Sequence, residues 1–492
     1  MSNLAHRQQK IQEKRKQTPW REFVMEVCSW MPVMFYKINN QISRFPETGR
    51  EGKLIGIKEY EMHSITDTVY SGDFFRSFEN LFLDNEKMIV QQRFENENCD
   101  YAECYSSKNC YLCFSVGQGA ENILYSTNSH SNIRNIVNSA FVITNSDNIF
   151  SSKVVTGSYN VFYGLNIHNS HNIWFSSNLL GCSECISCHD LENKSYCIEN
   201  IEYTPEEYRL KKAVILFDKK LFEEKKSKIF EKQIKNILCS DATGGGMINC
   251  HDIQNGYLAK GVNHGRNMYI GGGEQGGEYF YDAFDAGNQK DEHLYATHYV
   301  GETSSHIYCV SGGANCTNCY YGYHLESCSF CLGCIGLKNK SYCILNKQYT
   351  KEERYEKVDE IFAQMEKDGT LGQFFPATMN PFYFNDTAAY LIDPSFTKEE
   401  VTAKGYLRRD EPIKVDIPAG VQTVKTSELD QFEGRRAEQR YIDPEIMKKV
   451  ILDEQGNIYR IVKMEYDFLM KYGLPLPRKH RLERMKENFR IG

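Results

Sequence analysis

Two stretches of the chain carry cysteines at a spacing that suits metal binding. Residues 182–197 read CSECISCHDLENKSYC and residues 328–343 read CSFCLGCIGLKNKSYC, so one pattern of four cysteines occurs twice, 146 residues apart. Thiolates at short spacing are common ligands of structural zinc, and activated thiolates also act as redox or nucleophilic groups. Three interpretations are therefore open: zinc ligands, reactive thiols, or small side chains that fill a core.

The repetition extends beyond the cysteines. NKSYCIENIEYTPEE from position 193 matches NKSYCILNKQYTKEE from position 339, and NCYL at 109 faces NGYL at 255 with the same offset. In both copies Thr is followed three residues later by Glu, at Thr204 and Thr350, which predicts a helix that begins with a capping box. The chain thus contains two copies of one unit, over residues of about 100–212 and 246–360.

A shorter repeat runs inside the first copy, where an anchor position recurs at steps of 13, 13, 13, 12, 12 and 12 residues. Asn precedes every anchor but the last, and Ser, Gly or Cys stands three residues after each one. Short β-branched strands and small-residue turns at a fixed step are typical of a parallel β-solenoid, in which like residues stack in columns. One period is either a whole flattened coil or half of a coil of about 25 residues. The anchors are Cys110, Ile123, Ile136, Ile149, Val161, Ile173 and Cys185.

In this register the cysteines continue columns that other small or apolar residues occupy in neighbouring coils, and cysteine readily packs as a small buried hydrophobe. On an extended strand, residues i and i+3 point to opposite faces and lie about 10 Å apart, which argues against a zinc site within one stretch. Two adjacent coils could still present four thiolates to one ion. We therefore favour column packing, with structural zinc as the alternative; no His or Asn pattern supports a nucleophile. The candidate zinc ligands are Cys182, Cys185, Cys188, Cys316, Cys319, Cys328, Cys331 and Cys334.

An aromatic residue follows most anchors of the second copy. A column of rings could stack sugars or bases, or it could pack beneath flanking helices, the other copy or a partner subunit, which we favour. The first copy has Phe150, Phe162 and Trp174 at equivalent positions. The predicted column comprises Tyr257, Tyr269, Phe280, Tyr295, Tyr308 and Tyr320.

One stretch, residues 271–293, departs from the repeat and clusters carboxylates. Paired carboxylates on a β-helix would serve a glycoside hydrolase or a calcium-assisted lyase. A glycine-rich acidic loop explains the same residues without chemistry, so we assign no catalytic residue. The acids are Glu274, Glu278, Asp282, Asp285 and Asp291.

The rest of the chain divides around the two copies. We expect an α+β region at 1–98, the first solenoid copy at 99–203, a helical connector at 204–245 and the second copy at 246–349. A helical cap and extended segment follow at 350–408, then a linker at 409–440 and a C-terminal module at 441–492. That module ends in a basic patch formed by Arg478, Lys479, Arg481 and Arg484, either a solvated tail or a phosphate-binding surface.

Composition limits the location and the partners. The chain has 58 Lys and Arg against 65 Asp and Glu, so nothing global favours nucleic acid or an anionic membrane. It contains no apolar run of about 18 residues and no signal-peptide pattern at its start, which predicts a cytoplasmic protein without membrane contact. In a reducing compartment most of the 18 cysteines would be thiols or metal ligands.

Three segments carry a family resemblance: NKSYCILNKQYTKEERYEKV, LGQFFPATMNPFYFNDTAAYLIDPSFTKEEVTAKGY and YGLPLPRKHRLERMKENFR. From about residue 70 onward the chain resembles Cys-rich proteins of candidate-phyla-radiation bacteria that carry a zinc-ribbon label. The resemblance implies an architecture with terminal zinc ribbons and no particular activity. The ribbon cysteines of the C-terminal segments are absent at 453–456 and 479–482, and Cys28 alone remains near the N-terminus. We therefore expect degenerate terminal modules without zinc.

These features predict a mainly β, non-catalytic scaffold or binding protein with two tandem β-solenoid segments and small α+β terminal modules. Its partner would be another protein or a second copy of the chain, and structural zinc is the one cofactor that the pattern suggests. Two alternatives remain. One is an RNA- or ribosome-associated protein that works through the basic C-terminal module. The other is a polysaccharide-active β-helix enzyme that uses the acids at 274–291.

Overall fold

The computed structural model describes residues 3–38, 41–60, 64–90, 95–99, 101–229, 308–410, 420–436 and 439–489, together with positions 255, 265–267, 291–292, 304–305 and 417. At 57–58, 101, 291–292, 304–305, 308–314, 439 and 488–489 it describes the backbone alone. The chain forms two compact units. Unit 1 is Met1–Gln91 with Lys235–Asp410, and unit 2 is Gln92–Ile234 with Glu411–Gly492.

Eleven α-helices lie within the described ranges. In unit 1 and unit 2 together they are α1 (Asn3–Lys16), α2 (Trp20–Glu26), α3 (Ile57–Tyr60), α4 (Phe74–Asp84), α5 (Pro205–Phe217), α6 (Lys219–Ile229), α7 (Lys351–Lys367), α8 (Ala388–Ile392), α9 (Lys398–Ala403), α10 (Lys463–Tyr472) and α11 (Arg481–Phe489). Both predicted capping boxes are present. Thr204 and Glu207 close the start of α5, and Thr350 and Glu353 close the start of α7.

A parallel β-solenoid of about 7 turns occupies residues 114–198 of unit 2 and confirms the predicted fold class. Val161 pairs with Ile149 and Ile173 on one side, whereas Val155 pairs with Val142 and Ile167 on the other. Each period of 12 or 13 residues is therefore a whole flattened coil with two short strands. The strands are Tyr101–Leu124, Thr127–His130, Arg134–Val137, Ala140–Ile143, Asp147–Phe150, Lys153–Thr156, Tyr159–Phe162, Leu165–His168, His171–Trp174, Ser177–Leu180, Ser183–Ile186, His189–Glu192, Ser195–Ile198 and the antiparallel Ile201–Glu202.

The backbone of the solenoid has a period of three residues. Every third residue from Val154 to Glu199 adopts a left-handed conformation, with φ between 47° and 64°. Asn occupies many of these positions because its short polar side chain tolerates that region better than most residues do. One such residue in each triplet turns the chain, so that residues i and i+3 both point inward. The expectation that i and i+3 lie on opposite faces is therefore wrong.

The 13-residue coils accommodate their extra residue at a corner, where two consecutive residues are left-handed. These pairs are Gln118–Gly119, Ser131–Asn132 and Thr144–Asn145. The pairs lie 13 residues apart and stack on one another. The change in step from 13 to 12 therefore leaves the columns in register.

Four side chains per coil fill the interior, as Ile149, Ser152, Val155 and Ser158 do in one coil, each fully buried. Two aliphatic columns alternate with two columns of small residues. A serine in a small column satisfies two coils at once. Ser152 Oγ donates to the carbonyl of Phe150 (2.8 Å) and accepts from the N–H of Gly164 in the next coil (2.9 Å).

Asparagine side chains link successive coils at the left-handed corners. Each Nδ2 donates to the amide oxygen one coil further on, over 2.7–3.1 Å, and the last donates to Glu184 over 2.6 Å. Such a ladder satisfies side-chain polar groups along the stack. Its members are Asn109, Asn122, Asn135, Asn148, Asn160 and Asn172.

The C-terminal part of unit 2 is a small α+β module. Its sheet has the order Thr423–Lys425, Val450–Leu452, Ile458–Tyr459, and the hairpin Glu433–Arg436 with Gln439–Ile442 lies beside it in the chain. Helix α10 packs against the aromatic column of the solenoid. Phe468 stacks on Phe150 with ring centroids 5.9 Å apart, and Tyr472 contacts Phe162 at 5.1 Å.

In unit 1 the described end of the second copy shows the same local backbone. Every third residue from Asn315 to Leu345 is left-handed. Parallel bridges join residues one coil apart, such as Tyr320 with Leu332 and Leu332 with Ile344. The region predicted as the rest of this copy, 246–307, lies almost wholly outside the described residues.

Unit 1 also contains short paired strands. They are Tyr36–Ile38 with Gln41–Ser43, Lys53–Ile55 with Glu86–Met88, Asp291–Glu292 with Ser304–Ser305, Tyr308–Ala314 with Tyr320–Glu326, and Cys343–Ile344 with Lys347–Gln348. Across both units, none of the helices in the described ranges is both long and apolar enough to cross a bilayer.

Candidate metal centre

Three cysteines at the start of the solenoid come together in unit 2. The Sγ atoms of Cys99, Cys104 and Cys110 all lie within 4.8 Å of one another, and among the described residues this is the one such group of His, Cys, Asp or Glu. Each of the three residues is at most 4% exposed. They share a core cluster with the aliphatic residues of the following coils.

Coil stacking brings these cysteines together. Glu97 bridges to Lys108 in parallel, and Asn98 Nδ2 donates to Asn109 Oδ1 over 3.0 Å. This register places Cys99 directly against Cys110, in the anchor column that continues with Ile123. Cys104 lies on the connecting segment and reaches the same point of the core. We call Cys99, Cys104 and Cys110 the first-coil thiol cluster.

The cluster favours a thiolate on Cys99. Hydrogen bonds from Cys104 and Cys110 lower the pKa of Cys99, and the same contacts raise the pKa of Cys110. The thiolate is the form of cysteine that binds metal ions. Cys113 is the next inward residue on the coil, and burial raises its pKa to about 12.

Three sulfur ligands in a buried pocket fit a soft or borderline cation. Structural zinc sites are tetrahedral, with Zn–S bonds of about 2.3 Å, and they combine three or four cysteines. Tetrahedral geometry with such bonds places sulfur ligands about 3.8 Å apart, so sulfurs already within 4.8 Å need only small movements. The donor set therefore suits Zn²⁺, with Cys113 as the nearest further sulfur along the coil.

The sequence pattern missed two of these ligands. Cys110 and Cys113 were recognised as members of columns, but Cys99 and Cys104 were not among the candidates. The available signal was the density of CDYAECYSSKNCYLC, which has four cysteines within 15 residues just where the repeat begins. The irregular spacing of the first coil hid the alignment of Cys99 with Cys110.

The predicted cysteines of the first copy are buried in the last coils. Cys182, Cys185 and Cys188 are fully buried, and Cys185 shares hydrogen bonds with both neighbours, which raise its pKa. Cys182 and Cys188 also donate to carbonyls two residues back, at 3.5 and 3.4 Å, as the serines of these columns do. The three sulfurs do not all lie within the 4.8 Å that defines the first-coil thiol cluster.

The cysteines of the second copy are likewise inside unit 1. Cys319 and Cys331 are fully buried and stack on successive coils, because Tyr320 pairs with Leu332. Hydrogen bonds from Cys319, Cys328, Cys334 and Cys343 converge on Cys331 and lower its pKa. All cysteines within the described residues are free thiols, so none forms a disulfide there.

The aromatic column is covered wherever the structure describes its side chains. Phe162 stacks on Trp174 at 4.2 Å and both are at most 6% exposed, beneath α10. Tyr320 is 1% exposed and contacts Phe362 of α7. Tyr308 is described by its backbone alone. Four predicted members lie outside the described residues: Tyr257, Tyr269, Phe280 and Tyr295.

The basic residues near the C-terminus mostly have partners within unit 2. Arg484 is buried and pairs with the buried Glu465 at 2.8 Å. Arg478 donates to the carbonyl of Thr426 and pairs with Asp430, and Lys479 pairs with Glu487. Burial lowers the pKa of Arg481. These contacts leave less positive charge available for a phosphate than the sequence suggests.

The acidic stretch contributes no described side chain. Glu274, Glu278, Asp282 and Asp285 lie outside the described residues, and Asp291 is described by its backbone alone. The arrangement of their carboxylates stays a matter of prediction.

No family model, curated protein or solved structure matches the chain. The resemblance to zinc-ribbon-labelled proteins therefore stays a prediction. The functional argument depends on the chain's own geometry.

Proposed function

We propose that the chain is a non-catalytic scaffold protein built on a duplicated β-solenoid, in which one Zn²⁺ stabilises the first coil of unit 2. The observation that carries this proposal is the first-coil thiol cluster, with three buried sulfurs within 4.8 Å of one another. Cys99, Cys104 and Cys110 would be the ligands, and Cys113 the nearest source of a fourth sulfur.

A metal ion has a clear structural purpose at this position. A solenoid coil is stabilised by the coils on both sides, and a terminal coil lacks one neighbour. The first coil contains few large aliphatic residues, with Ala102 and three cysteines contributing to its core. Zinc binding to such a cluster adds its free energy directly to folding, as in other small structural zinc sites.

The scaffold interpretation is supported by how the solenoid interior is filled. Side chains occupy all four columns, and the polar columns hydrogen-bond from coil to coil. The aromatic column packs beneath α10 instead of lining a groove. A protein of this kind would act through its outer surface.

The second copy is proposed to be a solenoid as well. Its described end, from Asn315 to Leu345, has the three-residue backbone period and the parallel bridges of the first copy. Extension of the same pattern through 246–307 would supply the preceding coils.

The zinc proposal is tested by metal analysis of the full chain after growth in zinc-supplemented medium. We expect one zinc ion per chain in the wild type and none in Cys104→Ser, with a lower melting temperature in that variant. Cys182→Ser is the matched control, since it replaces a buried cysteine in a column outside the cluster, and it should retain one zinc.

Two results would contradict the proposal. One is a wild-type chain that contains no zinc and melts at the same temperature with and without a chelator. The other is a Cys104→Ser chain that still binds one zinc ion.

A further inference from the structure

A buried arginine lies in the first turn of α7, beside the cysteines of unit 1. Arg354 is 1% exposed, and its Nε donates to the carbonyl of Phe330 over 3.0 Å. The guanidinium also faces the rings of Phe330 and Tyr355, at 5.8 and 5.2 Å. Within the described ranges, no carboxylate forms an ion pair with it. A buried cation without a counter-charge costs several kcal/mol.

The groups that attract this guanidinium include two thiols. Besides Tyr320 and Tyr355, Cys331 and Cys319 raise the pKa of Arg354, although burial lowers it overall. A guanidinium gains little from a neutral thiol and much more from a thiolate. The position of Arg354 therefore favours negative charge on the neighbouring sulfurs.

Six cysteines form a continuous core beside this arginine, and each is at most 1% exposed. Cys319, Cys331 and Cys343 stack in one column on three successive coils, at the strand spacing of about 4.8 Å. Cys331 contacts four of the other thiols. We call this set the unit 1 thiol core: Cys316, Cys319, Cys328, Cys331, Cys334 and Cys343.

The first copy provides an internal comparison. At the offset of 146 residues, Cys328, Cys331, Cys334 and Cys343 correspond to Cys182, Cys185, Cys188 and Cys197. The other two thiols correspond to Ser170 and Ile173, and Arg354 corresponds to Tyr208. The extra thiols and the buried cation thus occur together in one copy and are absent together from the other. This association links the positive charge to the sulfurs.

We propose that the unit 1 thiol core binds Cu(I) and that Arg354 supplies the counter-charge. Soft thiolate ligands select Cu(I) among the biological cations. No three sulfurs of this set lie within 4.8 Å of one another, so a tetrahedral zinc site is not preformed. A two-coordinate monovalent ion needs one pair of thiolates only.

Charge balance follows from this stoichiometry. Two thiols each release a proton to solvent as one Cu(I) binds, with no change in oxidation state. The resulting bis-thiolate complex carries one negative charge, which the guanidinium of Arg354 neutralises inside a dry core. This site differs from the first-coil thiol cluster in its residues, its unit and its metal, so the two proposals stand independently.

The test is an anaerobic titration of the reduced full chain with Cu(I), in competition with a chromophoric Cu(I) chelator. We expect the wild type to retain Cu(I) against the chelator, and Cys331→Ser to lose at least tenfold in affinity. Cys185→Ser, the equivalent change in the first copy, should bind Cu(I) as the wild type does. Arg354→Met should bind more weakly than Arg354→Lys, which keeps the charge.

Folding and the zinc site are followed in the same samples. Circular dichroism and zinc content should be unchanged in Cys331→Ser, and Cys319→Ser serves as the second variant if Cys331→Ser does not fold. The proposal is overturned if the wild type does not retain Cu(I), or if folded Cys331→Ser or Cys319→Ser retains it with wild-type affinity. Equal affinities of Arg354→Met and the wild type would also refute the counter-charge role.

Discussion

At the scale of single residues, serine and cysteine are interchangeable in the small columns of the solenoid. Ser176 Oγ donates to the carbonyl of Trp174, and Cys188 Sγ, one coil further on, donates to that of Ile186. Cys188 also continues the stack by accepting Ser176 Oγ at its own N–H. Most cysteines in columns thus need no metal to explain them. The first-coil thiol cluster differs because its three sulfurs converge on one point.

The left-handed corners make Asn172 a sensitive residue. It has φ of 57° and continues the ladder between Asn160 and Glu184. Asn172→Ala should lose the ladder contacts and add the left-handed penalty of about 1–2 kcal/mol. Asn172→Gly should lose only the ladder contacts, so it should be the more stable variant by about 1 kcal/mol. Amide hydrogen exchange of residues 159–186 measures the difference, and equal stability of the two variants would argue against a strained corner.

At the scale of elements, α10 protects the aromatic side of the solenoid. Phe468 and Leu469 are its buried apolar residues, together with the Glu465 that pairs with Arg484. The capping boxes of α5 and α7 begin directly after the last coil of each copy. Helices thus cover both the ends of the coils and one lateral face, which keeps the exposed apolar area small.

We expect Phe468→Ala to destabilise unit 2 by about 3 kcal/mol, because it removes a buried ring that stacks on Phe150. Asp467→Ala is the control on the same helix, and removal of its exposed ion pair with Lys463 should cost at most about 0.5 kcal/mol. Denaturation followed by Trp174 emission, with Trp20 and Trp30 replaced by Phe in every variant, measures both values. Similar stabilities of the two variants would show that α10 does not hold the column.

At the scale of the whole molecule, the two copies contribute to different compact units. The first copy lies in unit 2 with the C-terminal module, whereas the described end of the second copy lies in unit 1 with the N-terminal helices. Each unit therefore combines one copy with one terminal region of the chain. The duplication accounts for the repeated architecture, and the terminal regions account for what distinguishes the two units.

The proposed second solenoid predicts hydrogen-exchange behaviour for residues 256–300. Their amides should exchange slowly, like those of 147–198, since each coil would hydrogen-bond to its neighbours. The irregular segment 64–72 of unit 1 serves as the fast-exchanging reference. Exchange of 256–300 at the rate of that reference would rule out a solenoid there.

The sequence predicted the solenoid, the columns and the capping boxes correctly because each depends on a local pattern. Anchors such as Ile149 and Val161 mark the period directly. The inward direction of residues three apart was missed, since an extended strand was assumed where Asn160 and its equivalents are left-handed. Cys99 and Cys104 were missed because their convergence depends on the coil before the regular repeat. The pairing of Arg484 with Glu465 depends on tertiary contacts that no local pattern reveals.

The constant 12-residue coil has an evolutionary consequence. Removal of residues 161–172 would join Asn160 to Ile173, with an asparagine again preceding an anchor and every column continuing unbroken. Insertion or loss of 36 nucleotides in the coding sequence therefore changes the length of the rod by one rung and alters no type of lateral neighbour. A gene of this kind can lengthen or shorten its product in whole steps, as unequal crossing-over between repeats would do.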